Sequence, residues 1–180
     1  MTTKGLFGFC KEGTRKATYC HRESYPSGLG VKVVAFCRNT SMDKLNRLFD
    51  EIIMVDEEEE MTPKQVQAYK NYLPQAYWNE NLDWITVLKH TKDPTWPLAD
   101  GFKFMVEYGS FLGSMRCRWI YTINLDTQML EVYKNGLEKI GIATDVDPAQ
   151  YLNKDALIPV LVGEFPLNKI PDDWLEAVKK

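Results

Sequence analysis

The chain carries strand-type patterning at both ends and helical periodicity between them, and this limits the folds open to it. From residue 116, RCRWIYTINLD, a short turn at Asp126-Thr127-Gln128 and MLEVYKN form the strongest hairpin signal. Near the start, GLFGFCKE and RKATYCHR flank a Gly-containing turn and read as a second hairpin. With that turn centred on Gly13-Thr14, Glu12 faces Arg15, Cys10 faces Ala17 and Cys20 faces Phe7, which leaves Cys10 and Cys20 unable to bridge. LIPVLVGEF is a further strand, placed by Pro159 at an edge or a strand start. The order ββ, several helices, then βββ predicts an α+β fold: an antiparallel sheet built from N- and C-terminal strands, with helices on one face. At 180 residues the chain reads as a single domain, 1–180.

Between the hairpins, Ser24-Tyr25-Pro26-Ser27-Gly28 breaks the strand pattern. Leu29, Val33, Phe36 and Cys37 then make a helical apolar face, which Asn39 ends. Thr40 or Ser41 caps the next helix, whose inner face is Leu45, Leu48, Phe49 and Ile52. Thr62-Pro63-Lys64-Gln65 is the clearest helix start: a cap residue, Pro at the first helical position and Gln three after the cap. That helix should run to about Leu73 and end at Pro74. A short helix is expected over Leu82–His90 with Trp84, Ile85 and Leu88 inward, followed by a loop, DPTWPLADG. Residues 136–156 read as a surface insertion, and Pro171-Asp172-Asp173 opens a short terminal helix.

Charge narrows the function classes. Lys and Arg number 22 against 25 Asp and Glu, for a net charge of −3. A direct nucleic-acid binder usually shows a basic domain or stripe, so sequence-specific DNA binding is not expected. A mildly acidic surface suits a basic protein partner. No stretch approaches the ~20 apolar residues of a membrane span, and the N-terminus does not read as a signal peptide. The expectation is a cytoplasmic protein whose four cysteines, without CxxC spacing, are thiols.

The densest cluster of reactive residue types is TYCHRESYPSGLG, residues 19–30 with the preceding Thr18. Cys20 and His21 are neighbours on a predicted strand, so their side chains point to opposite faces and do not form a nucleophile–base pair. Cys20 packed inward and His21 near the strand end is the favoured reading; His21 as a catalytic residue is the weaker one. Gly28 and Gly30 precede a helix but lack the third Gly and the βαβ frame of a phosphate cradle. They read as a sharp turn, with positive φ at Gly and Tyr25-Pro26 pinning it, the Tyr25 ring against the sheet. His90 closes a helix, where a cation is favoured anyway. No metal and no cofactor are expected.

Asp56, Glu57, Glu58, Glu59 and Glu60 form an unbroken acidic run. It reads either as a solvated loop ahead of a helix N-terminus or as a patch for a Lys/Arg-rich partner. The alternation Trp119/Tyr121/Ile123 with Val132/Tyr133 reads mostly as core; a base-stacking platform would want more flanking cations than Arg116 and Arg118.

Three segments resemble a family of small uncharacterised proteins of bacteria, phages and other mobile elements. They are Thr3–Phe9 (TKGLFGF), Tyr19–Gly30 (YCHRESYPSGLG) and Cys117–Asp126 (CRWIYTINLD) with Leu130–Tyr133. The residues carrying the resemblance include Tyr19, His21, Ser24, Tyr25, Pro26, Gly28, Gly30, Trp119, Tyr121, Asn124 and Asp126. The family more often has Asn at position 20, Asp at 23 and Glu at 118. The resemblance implies a phage or mobile-element anti-defence protein in the bacterial cytoplasm. Its size, acidity and lack of a catalytic set look like an anti-CRISPR protein that binds a type II RNA-guided effector nuclease, blocking it or compromising its guide RNA. The Asp56–Glu60 run would then lie against the basic channel for guide and target. A competing reading is an N-terminal-nucleophile-like amidohydrolase, in which removal of Met1 exposes the Thr2 hydroxyl beside its own α-amine. A third is a plain intracellular binding module.

Overall fold

The computed structural model describes residues 3–78, 82–91, 93–109, 117–135 and 159–178. β1 (Gly5–Lys11) and β2 (Thr14–Cys20) form the N-terminal hairpin. A π-helical turn, Pro26–Gly30, leads into α1 (Val31–Arg38), and α2 (Met42–Glu51) follows. The middle continues through β3 (Ile53–Val55), α3 (Pro63–Lys70), α4 (Trp84–His90), α5 (Thr95–Ala99) and β4 (Phe104–Val106). β5 (Trp119–Asn124), β6 (Met129–Asn135) and β7 (Pro159–Pro166) make an antiparallel meander, and α6 (Trp174–Ala177) comes last.

The main sheet has the order β2-β1-β5-β6-β7. It is the α+β arrangement expected, with one refinement: β1 and β5 run parallel, while the other pairs are antiparallel. Alternation decides the layers. Phe7, Phe9, Tyr121, Ile123, Leu130 and Val132 share one face and pack under α1, α2, α5 and α6. The opposite face carries a row formed by Tyr19, Leu6, Ile120 and Tyr133, then a row with Gly8, Thr122 and Glu131.

The first hairpin turns one residue earlier than the pattern suggested. Lys11 pairs with Thr14, Cys10 with Arg15 and Gly5 with Cys20. Glu12 and Gly13 both have positive φ, 51° and 71°, the two left-handed residues of a type I′ turn, whose twist matches that of the strands. Such a turn wants Gly second, and that sets the register.

The helical middle also contains strands that its sequence does not advertise. β3 and β4 pair in parallel as a separate two-stranded sheet; at three residues each they show no period. They close a second core with α3 and α4, built on Val55, Tyr69, Leu73, Trp84, Val87 and Val106. Val87, rather than Ile85, faces inward there. This unit docks along β2, where the Tyr108 amide donates to the Ala17 carbonyl at 2.9 Å, so the outer edge of β2 is partly covered.

The capping box of α3 forms as read, Thr62 with Gln65, but the helix stops at Lys70 rather than Leu73. Residues 71–73 form a turn, since the residue before Pro74 is disfavoured in helical conformation. DPTWPLADG is not all loop: Asp93 accepts from the Thr95 amide at 3.0 Å and hydroxyl at 2.6 Å, starting α5, and Pro97 falls in its first turn. The expected insertion at 136–156 lies outside the described residues. No helix among the described residues is long and apolar enough to cross a membrane.

Candidate functional site

The YCHRESYPSGLG segment is built around Ser24, which is fully buried. Its amide donates to the Thr3 carbonyl (3.0 Å) and its hydroxyl to the Cys20 carbonyl (3.2 Å). Its own carbonyl accepts from the Tyr121 hydroxyl at 2.9 Å. One serine therefore ties the start of β1, the end of β2 and the middle of β5. Leu29 then reaches back with its amide to the Glu23 carbonyl (2.8 Å), and the Val31 amide closes the π-helical turn on the Pro26 carbonyl.

Gly28 and Gly30 serve this joint for a different reason from the one expected. The glycines with positive φ are Gly13 and Gly101 among the described residues. At Gly28 a Cβ would lie 2.3 Å from the Glu23 carbonyl oxygen; at Gly30 it would lie 2.9 Å from the Trp174 ring and 3.1 Å from Tyr121. The need is for space. Tyr25 also differs: the residue is 37% exposed, and it is Pro26 that is buried, while the Tyr25 carbonyl accepts from the Gly28 amide at 2.9 Å. Glu23 holds φ 55°, a left-handed position that costs a non-glycine residue conformational energy.

Cys20 faces the core and His21 is partly exposed, on opposite sides as alternation requires. All four cysteines are unbridged and buried. Burial pushes the Cys37 thiol up to about 12 and Cys117 likewise to about 12, and it pushes Cys10 and Cys20 up as well. The thiolate is the nucleophile, so these sulfurs are inert at neutral pH. Thr2 lies outside the described residues. Among those described, no three His, Cys, Asp or Glu side chains gather as a metal would need.

The acidic run occupies the loop between β3 and α3. It is ordered by its own groups: the Glu58 amide donates to the Asp56 carboxylate (2.9 Å) and the Asp56 amide to the Glu59 carboxylate (3.0 Å). Glu57 is half-buried and accepts a hydrogen bond from the Tyr108 hydroxyl. Glu58, Glu59 and Glu60 are exposed. Among the described residues the ion pairs are Lys11–Asp50, Arg38–Asp172 and Lys103–Glu51, and none involves this loop. Among the described residues no cation pairs with its carboxylates.

The fold joins this loop to the Tyr19–Gly30 segment. From Glu57 the Tyr108 hydroxyl leads to its ring, which lies 5.7 Å from that of Tyr19, and Tyr19 in turn meets His21 edge-on at 5.8 Å. Two features some 35 residues apart in sequence thus share one flank of the molecule. Tyr108 gives no periodic signal, which is why reading the sequence missed it. Beneath Tyr19 a cavity of about 30 Å³ is bordered by Thr18, Tyr69, Val87 and Thr91. The Thr91 hydroxyl is buried without a hydrogen-bond partner among the described residues, and the space suits one water.

The remaining motif residues are placed by hydrogen bonding and packing. Trp119 and Tyr121 are buried under the helices, so that sheet face is no stacking platform. Asn124 accepts from the amides of Asp126 and Thr127 and donates to Glu131 at 2.7 Å. Asp126 accepts from the Glu12 amide at 2.9 Å, joining the tips of the two hairpins. Glu131 is a buried carboxylate that the sequence reading passed over; Tyr133 supplies its second donor at 2.7 Å. Burial and that carboxylate together push the Tyr133 phenol up.

Compared with family models, curated proteins and solved structures, the chain matches none.

Proposed function

We propose that this protein works by binding a basic macromolecular surface through the Asp56–Glu60 loop, and that the partner is a type II RNA-guided effector nuclease, as in an anti-CRISPR protein. One observation carries the reading: a run of carboxylates, ordered by Tyr108 and by its own backbone, stands exposed with no cation paired to it among the described residues. Order matters because a preformed acidic surface loses less entropy on docking. Charge complementarity then acts on association rate and salt dependence.

The test is co-elution with a purified type II effector, with and without guide RNA, following guide length on a denaturing gel. Glu58→Gln with Glu60→Gln removes two exposed charges and leaves the hydrogen bonds of Asp56, Glu57 and Glu59 in place. Weaker association with a flatter salt dependence is the expected result. Retention of full binding removes the loop from the account, and absence of binding removes the effector.

A second reading, an N-terminal-nucleophile hydrolase, draws on the start of β1. That strand is interior to the sheet, and the Ser24 amide donates to the Thr3 carbonyl ahead of it; Thr2 itself lies outside the described residues. Intact mass decides it: the mechanism requires a chain lacking Met1, and a retained Met1 excludes it.

A further inference from the structure

Although the chain is acidic overall, one flank gathers basic side chains from three separate stretches of sequence. β1 and β2 pair Gly5 with Cys20, which sets Lys4 opposite His21 one step further along. Arg22 follows His21. α4 packs against β2 and brings Lys89 and His90, at its C-terminal end, to the same place. From the turn Gln75–Tyr77, the Tyr77 ring stacks on His90 with centroids 3.6 Å apart and planes 20° from parallel. The neighbouring Trp78 is 45% exposed.

The electrostatics agree with this placement. His21 is held below the usual histidine range by burial and then by Lys4, Arg22, Lys89 and His90. His90 is lowered by burial, Arg22 and Lys89. Among the described residues no carboxylate pairs with Lys4, Arg22 or Lys89. Asp83, at the opposite end of α4, is held low chiefly by its hydrogen bonds from Thr86, with a smaller contribution from Lys89. Like charges gathered this way repel one another, and an anion relieves the repulsion.

We infer that Lys4, His21, Arg22, Lys89 and His90, with the Tyr77 ring stacked among them, form a binding site for the phosphodiester backbone of single-stranded nucleic acid. The cations suit phosphates, and flat rings beside them suit unstacked bases without reading their sequence. A duplex keeps its bases stacked and inward and has no use for the rings. The inference does not rest on the acidic loop or on an effector partner.

The experiment is fluorescence anisotropy of the full-length protein with a labelled 12-nucleotide oligouridine at low salt. Duplex RNA, inorganic phosphate and polyaspartate serve as competitors. Arg22→Gln with Lys89→Gln should weaken binding at least tenfold and reduce the log–log salt slope by about 0.7 for each phosphate no longer neutralised. Tyr77→Leu should weaken binding with the slope unchanged, and Lys64→Gln, an exposed cation on α3, should change nothing. Circular dichroism checks that each variant is folded. The proposal is overturned if wild type fails to bind at low salt, or if the double variant binds as wild type does. It is equally overturned if duplex or polyaspartate competes as well as oligouridine, or if inorganic phosphate displaces it at equal phosphate concentration.

Discussion

The Tyr121 hydroxyl, in the middle of β5, donates to the carbonyl of Ser24 across 97 residues of sequence, at 2.9 Å and with both residues fully buried. That carbonyl has no water to turn to. Tyr121→Phe should therefore cost about 1–3 kcal/mol, the desolvation penalty of a buried acceptor left unpaired. Urea unfolding measures it. A loss below about 0.5 kcal/mol would mean that the Ser24 carbonyl finds another donor.

Gly28→Ala tests whether space or backbone freedom is the requirement at the joint. The added methyl meets the Glu23 carbonyl oxygen, which is backbone and cannot swing aside. A loss of about 1–3 kcal/mol is expected. At Gly101, whose φ is 86° with nothing near its Cβ, alanine should cost about 1 kcal/mol through conformation alone. A Gly28→Ala variant as stable as wild type would contradict the packing explanation.

Tyr108→Phe removes the donor to Glu57 and leaves the ring against Tyr19. A loss of about 1 kcal/mol is expected for a hydrogen bond to a charged group near the surface. Amide exchange over residues 56–60 should speed up while that of β5 stays unchanged. Equal protection in both proteins would show that the Asp56 and Glu59 hydrogen bonds order the loop unaided.

These cases show what the sequence made legible. Alternation in WIYTIN and MLEVYK predicts the paired strands, and Thr62-Pro63 with Gln65 predicts a helix start, because local chemistry controls both. The parallel β1–β5 pair, β3 with β4, and the Tyr108–Glu57 bond depend on the meeting of distant segments, and no local period encodes them. At 19–30 the break in the strand pattern was legible, yet the reason for its glycines was not. The approach of Trp174 and Tyr121 to Gly30 is a tertiary fact, and that of the Glu23 carbonyl to Gly28 depends on a π-helical turn that no residue period announces, whereas positive φ is the usual local reason for glycine.

Stability should respond to mild acid through the two histidines. Both have pKa values lowered from 6.5 in the fold, by burial first. His21 faces Lys4 from β1, Arg22 on its own segment and Lys89 and His90 from α4; His90 faces Arg22 and Lys89. The unfolded chain binds protons that the folded one refuses. Their contribution is complete above about pH 6.5 and is lost as pH falls through that value toward the folded pKa. Urea midpoints at pH 7.5 and 5.5 should differ more for wild type than for a His21→Gln, His90→Gln double variant. Equal differences would place the sensitivity in other groups.

The bond from Glu12 to Asp126 closes a loop of more than a hundred residues, and the parallel pairing beside it spans the same distance. The inner strand β1 leaves the ribosome early but must wait for β5. At ~5–20 residues per second the delay is on the order of ten seconds. Throughout that interval the N-terminal hairpin offers an unsatisfied edge and the side chains of Phe7 and Phe9 to whatever is nearby. High contact order of this kind slows folding. During synthesis, then, the nascent hairpin is the segment a chaperone would protect first.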